Sequence, residues 1–204
     1  MEIRFAKIIS YLLHPLLMPT YGFAFMFFTE NYISMFIPTL LLKYIILGAT
    51  FLFTFLLPTI NALILLKMKH INSLEMETKK ERIIPYGSTA LYFFALCYLF
   101  YDAELPSLFK IVILGAGISI LLTFFINFRW KISAHTVGIG GVAGAALGIM
   151  YRVQMDMTLA FICILLLSGL VAYARLKLNA HTPAQVYTGF VLGFFIELGL
   201  ILFY

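Results

Sequence analysis

Seven apolar segments, each close to the length that crosses a lipid bilayer, follow one another along the chain. A spanning helix needs about 20 mostly apolar residues. The segments cover residues 8–28, 37–66, 85–101, 108–126, 133–150, 157–173 and 182–204. Hydrophobic residues make up 63% of the 204 residues and charged residues only 11%, which excludes a water-soluble globular domain. The sequence predicts an all-α, polytopic transmembrane helical bundle with six or seven spans in one integral membrane domain, 1–204. The third segment is short, and a bundle of six spans would lack it.

The second and fifth segments contain residues that indicate how their helices bend or pack. The second segment is long enough to tilt or to break at Pro58. The fifth segment is rich in small residues, which in a membrane allow two helices to approach closely. Its glycines are Gly138, Gly140, Gly141, Gly144 and Gly148. We therefore expect them to serve helix packing and not a phosphate-binding loop.

The basic residues divide unevenly between the two ends of the predicted bundle. With seven spans, 11 of the 14 lysine and arginine residues fall on the side of the N-terminus. The positive-inside rule makes that face cytoplasmic, but a phosphate-binding site also gathers cations on one face, so both explanations stay open. Because the basic residues lie in short connections, the net charge of +5 indicates contact with membrane lipids and no nucleic acid. We expect an integral protein of a bacterial inner (cytoplasmic) membrane.

The start of the fifth segment combines a helix-capping residue with a histidine. Ser133 is a good N-cap, and the free N–H groups of a helix N-terminus attract anions. His135 follows two residues later and would stand beside such an anion. Taken alone, the pair is explained as well by a capped helix whose histidine faces lipid headgroups.

The connection before the seventh segment carries Arg175, His181 and Gln185. Arginine suits bidentate contacts with phosphate. His181 and Gln185 are four residues apart, so they share a helix face and the amide can fix the tautomer of the imidazole. The alternative is a cationic turn in which Arg175 extends to the headgroups.

A third basic group precedes the third segment. Lys79 and Arg82 can lie on one side of a helical turn just before Pro85, where they would supply two cations to one phosphate. Lys80 is a less favoured ligand. A plain topology signal explains the same charges.

Together these three groups form the set needed for phosphoryl transfer without a metal or cofactor. Cations bind the non-bridging oxygens, one histidine attacks phosphorus and another protonates the leaving oxygen. Glu75, Glu77 and Glu81 stand in one connection at a spacing that matches no metal motif, so no metal site is predicted. His14, which precedes Pro15, is interpreted as a structural residue at a helix break.

The motifs resemble those of the type 2 phosphatidic acid phosphatases, a superfamily of membrane lipid phosphate phosphatases, of which the chain looks like a divergent member. Ser133-Ala134-His135 matches the end of the second family motif, and Arg175 and His181 keep the spacing of the third. Four departures are visible. The family aspartate is Gln185, the serine that opens the third motif is Ala174, the glycine before the second-motif histidine is Ala134, and Lys79, Arg82 and Pro85 form a compressed first motif. The resembling region lies within residues 79–189.

The resemblance implies a membrane phosphatase that acts on a lipid phosphate or prenyl diphosphate. His181 would be the nucleophile that forms a phosphohistidine, His135 the general acid, and Gln185 the residue that positions His181. Lys79, Arg82, Ser133 and Arg175 would bind the phosphate. Because Gln185 brings no negative charge, we expect a slower enzyme or a shifted pH optimum.

Two other functions remain open at this stage. A catalytically impaired relative would bind lipid phosphate headgroups or scaffold a partner, which the absent aspartate favours. A transporter would place ionisable residues near the bilayer midplane. Here the polar residues gather at one boundary, Lys43 and Lys110 lie near helix ends, and only Glu197 looks buried within a span. Transport is therefore the least favoured function.

Overall fold

Most of the described chain is helical in a computed structural model that describes residues 1–29, 32–37 and 39–204, with the backbone alone at 32 and 33. Within these ranges, seven helical stretches are long and apolar enough to cross a membrane. They are Glu2–Phe28, Leu40–Lys67, Lys80–Tyr101, Ser107–Arg129, Ala134–Val153, Thr158–Lys177 and Pro183–Phe203. The predicted all-α bundle is confirmed, with seven candidate spans.

Ten α-helices make up these spans and one short connection. They are α1 (Glu2–Leu12), α2 (Met18–Phe28), α3 (Tyr32–Met35), α4 (Leu40–Phe51), α5 (Leu57–Lys67), α6 (Ile83–Tyr101), α7 (Ser107–Arg129), α8 (Ala134–Val153), α9 (Thr158–Lys177) and α10 (Pro183–Phe203). The third span is not short, because a 3₁₀ turn, Lys80–Arg82, runs directly into α6. Because this turn is charged, the hydropathy of the sequence did not indicate that the span begins there.

The first span is interrupted between α1 and α2. Pro15 has no N–H to donate and pushes the preceding residue towards extended backbone, and His14 indeed has ψ 135°. The hydroxyl of Tyr21 donates to the carbonyl of Leu12 at 3.0 Å, which satisfies one of the carbonyls at the end of α1. The interruption therefore leaves polar backbone groups inside the bundle at the level of His14.

The second span does not break at Pro58. A π-helical turn, Leu52–Leu56, lies immediately before it and joins α4 to α5. The proline ring would collide with the carbonyl four residues earlier in a regular α-helix, and a wider turn relieves that collision. Pro38, at the start of the predicted segment, lies outside the described residues.

Helices α8 and α10 pack with their backbones in contact. A Cβ atom on Gly140 or Gly144 would overlap the carbonyl oxygens of Phe190 and Phe194, and one on Gly193 would overlap that of Val137. The close packing predicted for the fifth segment is thus confirmed. At the N-terminal ends of the two helices, the N–H of Ser133 donates to the carbonyl of Gln185 at 3.3 Å.

Substitution of Gly144 tests this packing. Gly144→Ala should destabilise the protein by about 1–3 kcal/mol, because the added methyl group must push α8 away from the carbonyl of Phe194. Gly169→Ala is the matched control, since a Cβ there meets no atom within 4 Å and alanine favours a helix. Thermal unfolding in detergent compares them, and equal midpoints for both variants would contradict the packing argument.

Candidate functional site

One cavity collects most of the residues singled out in the sequence. It has a volume of about 1790 Å³, and much of its wall is apolar. Its basic and histidine lining residues come from five regions of the chain: Lys7, His14, Arg82, Lys131, His135, Arg175 and His181. The fold thus brings the cations and histidines of three separate sequence motifs to one place.

His181 is held in one tautomer by its neighbours. Its Nδ1 lies 3.1 Å from the carbonyl oxygen of Lys131 and 3.2 Å from Oε1 of Gln185. Both oxygens only accept hydrogen bonds, so Nδ1 carries the proton of the neutral ring. Nε2 therefore keeps its lone pair, which is the state that a nucleophile needs.

Gln185 is itself fixed by a capping box at the start of α10. Its Oε1 accepts from the N–H of Thr182 at 3.1 Å, while the Thr182 hydroxyl accepts from the N–H of Gln185. A Thr at the N-cap and a Gln three residues later is the usual sequence for this arrangement. The contact between Gln185 and His181, expected from their spacing, is present in the structure.

The charge state of His181 follows from its surroundings. Burial, together with the positive charges of Arg82 and Arg175, lowers the pKa of His181 to about 3, and its two hydrogen bonds offset only part of this effect. The imidazole is therefore neutral at physiological pH. The same lowering makes folding less favourable as pH falls from 6.5 towards 3, because only the unfolded chain takes up the proton.

Two arginines lie buried near His181 and have no carboxylate partner among the described residues. Arg82 is 4% exposed and Arg175 is 9% exposed. Nε of Arg82 donates to the carbonyl of Met76 at 2.8 Å, whereas Nε of Arg175 has no hydrogen-bond partner among the described residues. The only ion pair found among residues 1–29, 32–37 and 39–204 joins Lys177 to Glu2. Burying an unpaired cation costs free energy, so an anion in this cavity would be stabilised.

The lysine in the cavity differs from the lysine expected in the sequence. Lys79 is exposed, its ammonium donates to the carbonyl of Arg129 at 3.1 Å, and it does not line the cavity. Lys131 does line it, and burial and the charge of Arg82 lower the pKa of its ammonium. The only sequence signal for Lys131 was its place two residues before Ser133.

Ser133 lies where the sequence predicted, as the N-cap residue of α8. Its side chain makes no cap hydrogen bond, and its buried Oγ has no partner among the residues described. It does not line the cavity. A phosphate contact from Ser133 thus stays a prediction.

His135 lies in the first turn of α8 and contacts α1. Its Nε2 is 3.2 Å from the carbonyl oxygen of Ser10. Since that oxygen can only accept, Nε2 carries the proton of the neutral ring and Nδ1 is free to take up a second one. The ring of His14 lies edge-to-face against it, with centroids 5.3 Å apart. His14 is therefore part of the site, a contact that its sequence position did not reveal.

Glu81 stabilises the connection between α5 and α6, next to Arg82. Its Oε1 accepts from the backbone and side chain of Asn72, and its Oε2 accepts from those of Thr78. These bonds close the loop between α5 and α6. The Glu81 carboxylate therefore stabilises the loop that positions Arg82.

Glu197 is the buried carboxyl group that the sequence left unexplained. It lies in α10, is 3% exposed, and has an Oε2 atom with no hydrogen-bond partner among the described residues. Its carboxyl group occupies the space that a side chain on Gly115 would fill. A solitary buried carboxyl group costs stability, and the described contacts provide no compensation for it.

Comparison with known families matches residues 123–204 to the model of the PAP2 superfamily. No curated protein and no solved structure matches the chain. The matched region holds His135, Arg175, His181 and Gln185, whereas Arg82 and His14 lie outside it. PAP2 proteins are generally phosphatases, and the family suggests a phosphate-ester substrate related to lipids. The C-terminal region of the chain, residues 123–204, is therefore similar to the PAP2 superfamily.

Proposed function

We propose that this protein is an integral membrane phosphatase that hydrolyses a lipid phosphate or prenyl diphosphate through a phosphohistidine on His181. One observation carries the proposal: a neutral histidine with a free Nε2 lines a cavity together with two buried arginines for which the described residues provide no carboxylate partner. Arg82 and Arg175 would bind the non-bridging oxygens of the phosphate, and Lys131 would add a third cation.

The reaction runs in two halves. Nε2 of His181 attacks phosphorus, the bond to the leaving oxygen breaks, and His135 in its doubly protonated form gives the proton on Nδ1 to that oxygen. A water molecule then attacks phosphorus, the phosphorus–nitrogen bond breaks, and Nδ1 of His135 takes the proton from the water. The hydrogen bond from His135 to Ser10 leaves Nδ1 as the nitrogen available for both transfers.

A lipid substrate suits the shape and lining of the cavity. Its basic and histidine residues come from the connections and helix ends on one side of the bundle, and apolar residues of several helices form much of the remaining wall. A headgroup phosphate would meet the cations while its hydrocarbon chain stays among apolar side chains. Acyl and prenyl chains both satisfy this arrangement.

Phosphate release in detergent with EDTA tests the proposal. The native protein should release phosphate from a panel of lipid phosphates and prenyl diphosphates, and His181→Ala should lower the rate by about a thousandfold or more, because the nucleophile is lost. His70→Ala is the matched control, since His70 is exposed and does not line the cavity. Acid-labile, base-stable labelling by a ³²P-lipid phosphate should be absent only from His181→Ala.

Each outcome of that assay has a clear meaning. Full activity of His181→Ala would contradict the proposal, because this variant lacks the proposed nucleophile. A folded native protein that binds lipid phosphate but releases none would instead identify a headgroup-binding relative, with Gln185 as the suspected cause.

The choice between two lysines provides a second test. Lys131→Gln should raise the inhibition constant of inorganic phosphate about tenfold, because a hydrogen bond to a charged group contributes roughly 1.5–3 kcal/mol. Lys79→Gln should change it less than about twofold, since Lys79 is exposed and bonded to the carbonyl of Arg129. A larger effect of Lys79→Gln than of Lys131→Gln would instead support the phosphate contact predicted for Lys79.

The missing negative charge beside His181 can be supplied by Gln185→Glu. The carboxylate should raise the pKa of His181, since an opposite charge within about 4–6 Å favours the imidazolium by about one to three units. Because the nucleophile is the neutral ring, the acid limb of kcat/KM should move to higher pH. Gln185→Met is the control of similar length without charge. Identical acid limbs in the two variants would contradict an electrostatic role for residue 185.

A further inference from the structure

The end of α1 reaches into the site, although it lies outside the region that matches the PAP2 superfamily. Ser10 is 6% exposed and contacts two site residues with two different atoms. Its Oγ accepts from Nη1 of Arg175 at 3.3 Å, and its carbonyl oxygen accepts from Nε2 of His135 at 3.2 Å. One residue of the first span thus touches both an arginine and a histidine of the proposed reaction.

The carbonyl of Ser10 is available because α1 ends two residues later. The last carbonyl groups of a helix have no N–H partner within the helix. The backbone leaves helical geometry at Leu13 and His14, so the helical turn that would pair the N–H of His14 with the Ser10 carbonyl is not continued. Nε2 of His135 donates to the carbonyl of Ser10, just as the hydroxyl of Tyr21 donates to the carbonyl of Leu12. The break at Pro15 therefore creates the acceptor that orients His135.

His14 holds the ring of His135 from a second direction. Its Nδ1 accepts from the N–H of Leu16 at 3.4 Å, which fixes the imidazole at the break. The two rings meet at 78°, an edge-to-face arrangement that aromatic rings favour. Pro15 in turn packs on Gly138 of α8, where an added Cβ would lie 3.1 Å from the proline Cα. The break and the start of α8 are thus packed against each other.

We propose that the end of the first helix is a working part of the phosphate site, in which Ser10 positions Arg175 and His135 and His14 sets the plane of the His135 ring. This inference rests on the proposed function. Ser10 and His14 are positioning residues, since they act through the side chains that contact the substrate. Loss of the Ser10 hydroxyl loosens Arg175 alone, because the carbonyl that holds His135 remains.

Binding of inorganic phosphate tests the Ser10 contact without requiring turnover. The midpoint of thermal unfolding is followed against phosphate concentration in detergent, which gives an apparent Kd. Ser10→Ala should weaken phosphate binding about tenfold, and Ser10→Thr, which keeps a hydroxyl group, should restore it. Ser168→Ala is the matched control, because the buried Ser168 hydroxyl bonds only to a carbonyl of its own helix. An apparent Kd for Ser10→Ala equal to that of Ser168→Ala would overturn the proposal.

The role of His14 is read from the pH dependence of kcat. Because the general acid must carry a proton on Nδ1, kcat should fall at high pH as His135 loses that proton. His14→Ala should change this alkaline limb, whereas His14→Phe, which keeps an aromatic ring against His135, should retain the native profile. A native profile in His14→Ala would overturn the positioning role. If the native protein binds phosphate but releases none, the proposed function fails while weaker phosphate binding by Ser10→Ala still supports the Ser10 contact with Arg175.

Discussion

The backbone contact between α8 and α10 is the constraint on which the rest of the site depends. Glycines at 140, 144 and 193 let carbonyl groups of one helix occupy the space of missing side chains on the other. Because the two helices lie so close, the N–H of Ser133 reaches the carbonyl of Gln185. The start of α8, with His135, therefore lies beside the start of α10, with His181. Larger residues along this seam would separate the two histidines.

Electrostatics link the same residues. Arg82 and Arg175 are buried without a carboxylate partner among the described residues, and their charges help to keep His181 neutral. The surroundings that disfavour a proton on His181 also favour an anion in the cavity. Glu81 contributes indirectly, because its four hydrogen bonds hold the loop next to Arg82. Phosphate binding and the neutral state of the nucleophile thus follow from one distribution of charge.

The site also depends on interruptions of regular helix. The break at Pro15 frees the Ser10 carbonyl for His135 and places the His14 ring against it. A π turn before Pro58 keeps the second span continuous. At the start of α10, the capping box that satisfies Thr182 also aims Oε1 of Gln185 at His181. The break at Pro15 and the capping box of α10 thus provide the polar contacts that orient His135 and His181.

The sequence by itself determined what depends on neighbours along the chain. It predicted the spans from their apolar length, the glycine packing of α8 from small residues, and the contact of Gln185 with His181 from a spacing of four. Only the tertiary structure decided which distant groups meet. It placed Lys131 in the cavity and left Lys79 outside, brought Ser10 and His14 to His135, and buried Glu197 without a partner among the described residues. The physical reason is that helical periodicity specifies the face of a residue, whereas the neighbour across that face depends on how seven spans pack together.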